Sequence, residues 1–381
     1  MDKKNKNPNV PNLRFSFEED WCTSTIGENF RLSSGLTPST KEKAYFNNGI
    51  IPWINSGELK NKYISFTENK LTLDAVKKHN LTIYPIDTMV IAIYGLEAAG
   101  VRGKASITKM DSTISQSCMA FNSLGNVLTQ FMYYVYKKEA QILGTRYAQG
   151  TKQQNLSSDL LSSYKLLYPS KEEQLKIVNF LSLIDEKIET QSKIIEDYKV
   201  LKKKISKQVI GSQKPNTHIY ECLENNSSSS KESDFDEYTE GQFPIYGANG
   251  VIKHINSYLI DIPSISIVKD GAGVGRTRFL YGKYTVIGTL NYLTSKNGYD
   301  LLYLYYALDN LDFTKYIVGS GIPHIYFKDY KREMIYIPKD EKTINKIVRC
   351  LSSLDLLIHN EQNLLLYLTK QKEYLLNNMF I

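Results

Sequence analysis

The sequence predicts an α+β protein made by internal duplication, with two globular α/β domains that alternate with two long, coiled-coil-like helices. The first observation is a repeat with a period of about 170 residues, seen in identical pairs such as Leu181 and Leu351 or Asp185 and Asp355. The second is an apolar stripe with heptad spacing in both copies. The third is a set of short β-type runs, separated by Gly- and Ser-rich turns, before each stripe.

The first copy begins with a polar segment, residues 1–14, that is predicted to be a disordered tail. Residues 15–168 are predicted to form the first globular domain and residues 211–337 the second. In the first domain the β-type runs cover residues 49–54, 88–94 and 117–122, and a helix is predicted at 127–138. In the second domain they cover residues 243–251, 264–269, 276–280 and 284–289, with a helix at 301–308.

Two long helices are predicted, at residues 169–210 and 338–381. Each region opens with a proline, and the first continues with Glu172 and Glu173, whose charges favour the amino-terminal end of a helix. About forty residues of helix would be about 60 Å long, far beyond the usual helix of a globular domain. Helices of this length need a partner surface along the whole apolar stripe.

The apolar stripe has nine heptad positions in each copy, and seven of them are apolar. The two polar interruptions fall at matching places, Gln191 with Glu361 and Lys202 with Lys372. Because each copy offers the other a matching surface, the two helices are predicted to pack together, and leucine at Gln191 and Lys202 is expected to stabilise the pair. The predicted contacts of the helix pair are Leu181, Ile184, Ile188, Ile195, Ile205, Leu351, Leu354, Ile358, Leu365, Leu368 and Leu375.

The composition is that of a globular protein with two domains, since the chain has 381 residues of which 42% are hydrophobic and 23% charged. No apolar run approaches the roughly 20 residues that cross a bilayer, the polar start does not resemble a secretory signal, and four scattered cysteines form neither a zinc site nor a disulfide framework. We therefore expect a cytoplasmic protein. The net charge of +7 is compatible with a nucleic-acid partner but does not require one.

The glycine-rich run at residues 271–275 is not a nucleotide-binding loop. A phosphate loop needs four residues between its glycines and then Lys-Ser/Thr, and a dinucleotide-binding turn must open a helix, whereas a strand is predicted here. A DNA-contacting loop and a structural β-turn both remain open for this run. The five histidines show no metal spacing, and the motifs of nucleophilic catalysis and adenine methylation are missing. The sequence predicts no catalytic residue and no metal.

Three segments carry side chains suited to contact: the hydroxyl-rich residues 35–40 with the aromatic strand 51–56, the amide-rich turn 150–155, and residues 319–324. Amides and cations suit base edges and phosphates. A solvated loop is the alternative for each, although the last two occupy matching places in both copies. The candidate DNA contacts, with those flanking the glycine-rich run, are Thr37, Ser39, Thr40, Trp53, Lys152, Gln153, Asn155, Lys269, Arg276, Ser320 and His324.

Taken together, these segments resemble the specificity subunit of type I restriction–modification systems. The matching segments are residues 17–21, 35–54, 150–155, 169–188, 243–250 and 268–275. The resemblance adds Tyr246 and Asn249 to the candidate DNA contacts. The second copy departs from the pattern, because it has a serine run in place of the Thr-Pro-Ser-Thr loop, no counterpart of Trp21, and Glu-Lys-Thr at 341–343 in place of Glu-Glu-Gln.

The resemblance implies two target-recognition domains, held apart by two antiparallel helices around a pseudo-twofold axis, that each read one half of a split double-stranded DNA site. It also implies two modification subunits, which use S-adenosylmethionine to methylate adenine N6, and restriction subunits that translocate and cleave DNA. The chain itself would perform no chemistry. The alternatives are a structural helical adaptor that organises protein partners without reading DNA, and an autonomous DNA-modifying enzyme.

Overall fold

The computed structural model describes residues 9–96, 98, 100–147, 155–237, 240–296, 298–319 and 321–381. The chain forms two compact units. Unit 1 consists of Met1–Thr190 and Leu365–Ile381, and unit 2 consists of Gln191–Leu364. Both long helices contribute a segment to each unit, so each unit contains a globular part and a piece of the helix pair.

Among its described residues, unit 1 has three sheets and, before the long helix, four α-helices. Its strands are β1 (Cys22–Thr25), β2 (Phe30–Ser34), β3 (Ile51–Ile54), β4 (Tyr63–Ile64), β5 (Lys70–Leu71), β6 (Met89–Ala92), β7 (Ala105–Thr108), β8 (Thr113–Ile114), β9 (Cys118–Ser123) and β10 (Lys165–Tyr168). Its helices are α1 (Ile26–Asn29), α2 (Leu73–Lys78), α3 (Thr129–Ile142) and α4 (Ser158–Ser163), followed by the long α5 (Lys171–Ser206). The sheet orders are β2-β9-β6-β7-β4, β5-β3-β8 and β1-β10.

Unit 2 repeats this plan. Its strands are β11 (Thr217–His218), β12 (Leu223–Ser227), β13 (Phe243–Gly247), β14 (Gly250–Ile255), β15 (Ser264–Val268), β16 (Thr277–Leu280), β17 (Thr285–Val286), β18 (Leu290–Ser295) and β19 (Met334–Ile335). Its helices are α6 (Ile219–Cys222), α7 (Leu301–Leu308) and α8 (Phe327–Tyr330), followed by the long α9 (Glu341–Met379). The sheet orders are β12-β18-β15-β16, β14-β13-β17 and β11-β19.

The strand orders confirm the internal duplication. The order β12-β18-β15-β16 of unit 2 matches β2-β9-β6-β7 of unit 1, which has β4 as an additional edge strand. In the three-stranded sheets, β3 pairs in parallel with β8 and β13 pairs in parallel with β17. Each unit also closes with a two-stranded antiparallel pair, so the α+β fold with two related globular parts and two long helices is established.

Two sequence predictions need correction in detail. The single strand predicted at 243–251 is the hairpin of β13 and β14, because the chain turns at residues 248–249 and Gly250 has a φ of +124°. Residues 1–8 of the predicted disordered tail lie outside the described residues. At its other end, the Leu13 N–H donates to the Asn378 carbonyl at 2.8 Å, and Arg14 is bound by an ion pair, so this part of the tail is held in place.

The beginning of α5 is locked to the globular part of unit 1 by buried polar groups. The Glu173 carboxylate is buried and pairs with Arg14 at 2.8 Å, and it also accepts from the Trp21 indole at 3.3 Å. The buried Gln174 amide donates to the Pro169 carbonyl and accepts from the Leu128 N–H. These bonds explain why Glu173 and Gln174 occur at this helix start, since each buried polar group has a partner.

The apolar stripe of both long helices is the buried side of each. Leu181, Ile184, Ile195, Leu351 and Leu354 are buried. The other predicted contacts of the helix pair are half-buried: Ile188, Ile205, Ile358, Leu365, Leu368 and Leu375. Most of the residues between them are exposed, so burial recurs at alternating intervals of three and four, as heptad packing requires.

In unit 1, the polar break at Lys372 is paired. Its ammonium lies 2.5 Å from the carboxylate of Asp185 on α5, and that carboxylate also accepts from the Tyr134 hydroxyl of α3 at 2.6 Å. The ammonium of Lys62 also lies 3.7 Å from the Asp185 carboxylate, and it donates a hydrogen bond to the Tyr134 hydroxyl. Burial lowers the pKa of Lys62, and Asp185 opposes that shift. The cluster ties α3 to both long helices.

Unit 2 has the equivalent arrangement. Lys202 on α5 pairs with Asp355 on α9 at 2.6 Å, and Asp355 also accepts from the Tyr306 hydroxyl of α7 at 2.8 Å. About three turns earlier on α5, the Gln191 amide donates to both the carboxylate and the backbone carbonyl of Glu361. Gln191 precedes Lys202 on α5, whereas its partner Glu361 follows Asp355 on α9, so the two helices run antiparallel in this unit.

These contacts reverse the expectation that leucine at Gln191 and Lys202 would stabilise the helix pair. Either change removes a donor from a partly buried carboxylate, Glu361 in one case and Asp355 in the other. A polar acceptor left without its donor destabilises a folded protein by about 1–3 kcal/mol. The matched polar breaks are therefore the places where the two helices are bonded to each other.

Candidate nucleic-acid interface

In unit 1, five loop segments that are distant in sequence are joined by hydrogen bonds and one β-bridge. The loop after β6 joins the segment before β9, because the Ile93 N–H donates to the Ser117 carbonyl at 3.0 Å. The Leu156 N–H donates in turn to the Ile93 carbonyl at 3.0 Å, and Tyr94 forms a β-bridge with Asn155. Three segments that are distant in sequence, after β6, before β9 and before α4, thus form one surface.

Two further loops of unit 1 join this surface through hydroxyl groups. The Thr37 hydroxyl accepts from the Gln116 N–H at 3.2 Å, and the Ser117 hydroxyl accepts from the Ser56 N–H at 3.4 Å. We call this surface loop cluster 1 and define it by Thr37, Ser56, Tyr94, Ser117 and Asn155. Hydroxyl, phenol and amide groups of this kind can donate to phosphates and to base edges.

Unit 2 builds a second surface with the same frame. The Lys269 N–H donates to the Thr289 carbonyl at 3.0 Å, the Ile325 N–H donates to the Lys269 carbonyl at 2.9 Å, and Asp270 forms a β-bridge with His324. The Gly288 N–H donates to the Ser230 carbonyl at 2.7 Å. We call this surface loop cluster 2 and define it by Ser230, Lys269, Asp270, Thr289 and His324.

The two loop clusters correspond bond for bond at their centre. The two hydrogen bonds and the bridge around Ile93 in unit 1 recur around Lys269 in unit 2. The serine run at 227–230 supplies part of loop cluster 2, as residues 35–40 supply Thr37 to loop cluster 1, so it occupies the place of the Thr-Pro-Ser-Thr loop that unit 2 lacks. The frame is constant, and the side chains that it carries differ between the units.

The glycine-rich run is the hairpin turn between β15 and β16. Gly271, Gly273 and Gly275 have φ values of +87°, +86° and +86°, which side chains other than glycine rarely adopt. The Arg276 N–H donates to the Gly273 carbonyl and the Gly271 N–H donates to the carbonyl of Pro323, so the turn is fastened to the segment before His324. The run is therefore a structural turn that belongs to loop cluster 2, and Arg276 at its end is exposed.

A third feature of unit 2 lies at the hairpin of β13 and β14. Tyr246 is half-buried, with the Arg278 guanidinium 5.8 Å from the centroid of its ring. Burial raises the pKa of Tyr246, and Arg278 opposes that shift. Asn249 is exposed at the tip of the hairpin. Arg278 was not among the candidate contacts, although it flanks the glycine-rich run in the sequence, and it lies on β16.

The predicted contact residues differ in how exposed they are to solvent. Trp53 is wrong as a DNA contact, because it is 6% exposed, packs against Phe46 and donates its indole N–H to the Leu36 carbonyl. Ser39 and Thr40 are exposed. The residues that lie outside the described part of the chain are Lys152, Gln153 and Ser320.

Sequence reasoning missed Tyr94, Ser117 and Thr289, which lie at strand ends and only meet the other loops through folding. Two side-chain oxygens in the clusters, Asn155 Oδ1 and Thr289 Oγ1, are buried without a hydrogen-bond partner among the described residues. Buried oxygens of this kind usually have a hydrogen-bond donor in a folded protein.

Within the same described residues, no group of three or more His, Cys, Asp or Glu side chains could hold a metal ion. Of the helices that the structure describes, none combines the length and apolar character needed to cross a membrane.

Comparison with known proteins identifies the family. A family model described as the type I restriction modification DNA specificity domain matches residues 18–197 and 217–374. The type I restriction enzyme MjaIX specificity subunit of Methanocaldococcus jannaschii is 32% identical over 182 residues, 46% of this chain and 40% of that protein. The type I restriction enzyme EcoR124I/EcoR124II specificity subunit of Escherichia coli is 27% identical over 169 residues, 44% of this chain and 41% of that protein.

The matched stretches thus span about two fifths of each of these two relatives. The crystal structure of the S subunit of a type I restriction–modification system from M. genitalium has a TM-score of 0.64 at 19% identity, covering 98% of this chain and 99% of that one, which shows a shared fold. Because the family model matches most of the chain, once in each copy of the repeat, this protein belongs to the family of type I restriction modification DNA specificity domains.

Proposed function

We propose that this chain is the DNA sequence-recognition subunit of a type I restriction–modification complex. It binds a bipartite double-stranded DNA site, one half through loop cluster 1 and the other through loop cluster 2. It thereby directs adenine-N6 methylation or restriction by partner subunits. The observation that supports this proposal is the constant hydrogen-bond frame of the two clusters, which carries different side chains in each unit. A constant frame with variable side chains suits a reader of two different base sequences.

The contact residues divide into two kinds. Ser39, Thr40 and Arg276 are exposed and suit phosphate oxygens, which fix position without reading sequence. Asn155 and His324, at matched places in the two clusters, carry groups that suit base edges. Lys152, Gln153 and Ser320 remain candidates beside them, as do Tyr246 and Asn249 at the hairpin of unit 2.

We assign no chemical step to this chain. Methyl transfer from S-adenosylmethionine belongs to two modification subunits, and translocation and cleavage of DNA belong to restriction subunits. All of these components act in the cytoplasm. The two relatives are themselves specificity subunits of type I restriction enzymes, which supports this division.

The helix pair is the proposed docking surface for a modification subunit. In unit 2, Leu201 is 43% exposed, Leu357 40% and Leu364 46%, although each lies beside the buried stripe of its helix. Leu357 and Leu364 are about two helical turns apart and so lie on the same side of α9, and exposed apolar side chains that share one side of a helix are typical of an interface. Leu357→Glu with Leu364→Glu should lower co-purification of the modification subunit, whereas Lys203→Glu, on the exposed side of α5, should not.

Mapping of methylated adenines in the host genome, with and without this gene, tests the proposed function. We expect a bipartite motif that is methylated only when the gene is present. A helical adaptor that does not read DNA would leave the set of methylated motifs unchanged. If the purified chain alone methylates DNA with S-adenosylmethionine, the division between recognition and chemistry is wrong.

A further inference from the structure

Loop cluster 2 places one carboxylate, that of Asp270, next to the ammonium of Lys269. The Lys269 ammonium lies 3.9 Å from this carboxylate, and His324 is bridged to the Asp270 backbone. Arg276 is exposed at the other end of the same hairpin turn. Phosphates repel a carboxylate, so Asp270 weakens any contact of this surface with the DNA backbone. Its presence on a DNA-facing turn needs another reason.

The fold of the turn does not supply that reason. The backbone of Asp270 takes part in the frame of loop cluster 2, through its N–H and its bridge to His324. Its carboxylate, in contrast, has Lys269 as its charged partner within the described residues, at a distance longer than a hydrogen bond. The side chain is 43% exposed. Both oxygens are therefore available to accept hydrogen bonds from a ligand.

The position of Asp270 in the repeat also indicates that its side chain can contact DNA bases. Asp270 occupies the place that Tyr94 occupies in loop cluster 1, since both follow the central strand of their sheet and both form the bridge to the facing segment. Tyr94 is 37% exposed. The frame thus presents this position to solvent in both units and accepts an aromatic residue in one and an acid in the other.

We propose that Asp270 is a specificity-determining residue that accepts a hydrogen bond from the 4-amino group of a cytosine in the major groove. This rests on the proposed function. A carboxylate can only accept, so it matches the amino groups of cytosine and adenine. Adenine places the N7 acceptor beside its amino group and would repel the second carboxylate oxygen. Cytosine has no acceptor beside its amino group on this edge, so it is the better partner.

Selection of bound duplexes from a randomised pool tests this assignment, with the full chain co-purified with its modification subunits. Asp270→Asn keeps the shape of the side chain and gains a donor, so it matches the N6 and N7 groups of adenine. We expect the wild type to select cytosine at one position of one half-site, and Asp270→Asn to select adenine there. Asp270→Ala should lower discrimination at that position by roughly 5- to 150-fold. The matched control is Asp261→Asn, an exposed acid of the same unit.

An unchanged motif in both Asp270 variants would overturn the assignment. So would stronger binding to all duplexes alike, because Asp270 would then only repel phosphates. If the wild-type chain selects no motif at all, the proposed function fails as well, and this result differs from a wild-type motif that is insensitive to Asp270.

Discussion

At the residue scale, the sequence predicts where contact can occur but not which side chains meet. Asn155 and His324 were predicted because the repeat puts them at matching places, and the structure joins each to the loop after the central strand. Tyr94 and Ser117 carry no sequence signal, because they become neighbours of Asn155 only when three strand ends meet. Trp53 was misassigned, since an aromatic residue in a short strand suits a core and an exposed face equally well.

Asn155→Ala should relax sequence selectivity at one position of one half-site, because the amide that suits a base edge is removed. We expect discrimination between the cognate and a mismatched duplex to fall by roughly 5- to 150-fold at that position. Competition binding with single-mismatch duplexes measures this change. Equal weakening on every duplex would instead assign Asn155 to the stability of loop cluster 1.

Lys269→Ala should act differently, because its half-buried ammonium provides charge beside the turn. We expect weaker binding to all sequences alike and a salt dependence whose logarithmic slope falls by about 0.9, as for the loss of one phosphate contact. A salt series on cognate and mismatched duplexes gives both values. Lys283→Ala, a cation of the same unit over the ring of Tyr258, is the control, and an equal effect there would point to net charge alone.

At the element scale, the heptad pattern predicts both long helices and their buried sides, and the matched polar breaks are also visible in the sequence. The partners of those breaks are not, because spacing along one helix does not say which residue of the other helix lies opposite. Lys202 pairs with Asp355 in unit 2, and Lys372 pairs with Asp185 in unit 1. Each of these aspartates also accepts a hydrogen bond from a tyrosine hydroxyl of the globular part. One carboxylate therefore connects both long helices to a helix of the globular part.

Lys202→Leu should therefore destabilise the protein, and most of that loss should disappear in the double variant Lys202→Leu/Asp355→Leu. Removing one partner leaves the Asp355 carboxylate without its cation, whereas removing both leaves no unpaired charge at the stripe. Urea unfolding of the single and double variants should give a coupling free energy of about 0.5–3 kcal/mol. Lys203→Leu is the matched exposed control, and additive effects at Lys202 and Asp355 would rule out the pair.

At the scale of the whole molecule, the repeat of about 170 residues predicts two units of one plan, and the strand orders of the sheets show it. What the repeat does not predict is the difference between the units. Unit 1 has the additional strand β4 and the buried Glu173 at the start of α5, and unit 2 has the serine run in place of a Thr-Pro-Ser-Thr loop. Nor does it give the DNA sequence that is read, because loop side chains follow no simple code for bases.

The central claim is that each unit reads its own half of a bipartite site. The most direct test replaces residues 15–168 by the first recognition domain of another family member and maps methylated adenines in cells that carry the chimera. We predict that one half of the methylated motif changes to the sequence that the donor domain reads, while the other half stays as in the wild type. A motif that changes in both halves, with the chimera folded and the modification subunits bound, would contradict the account.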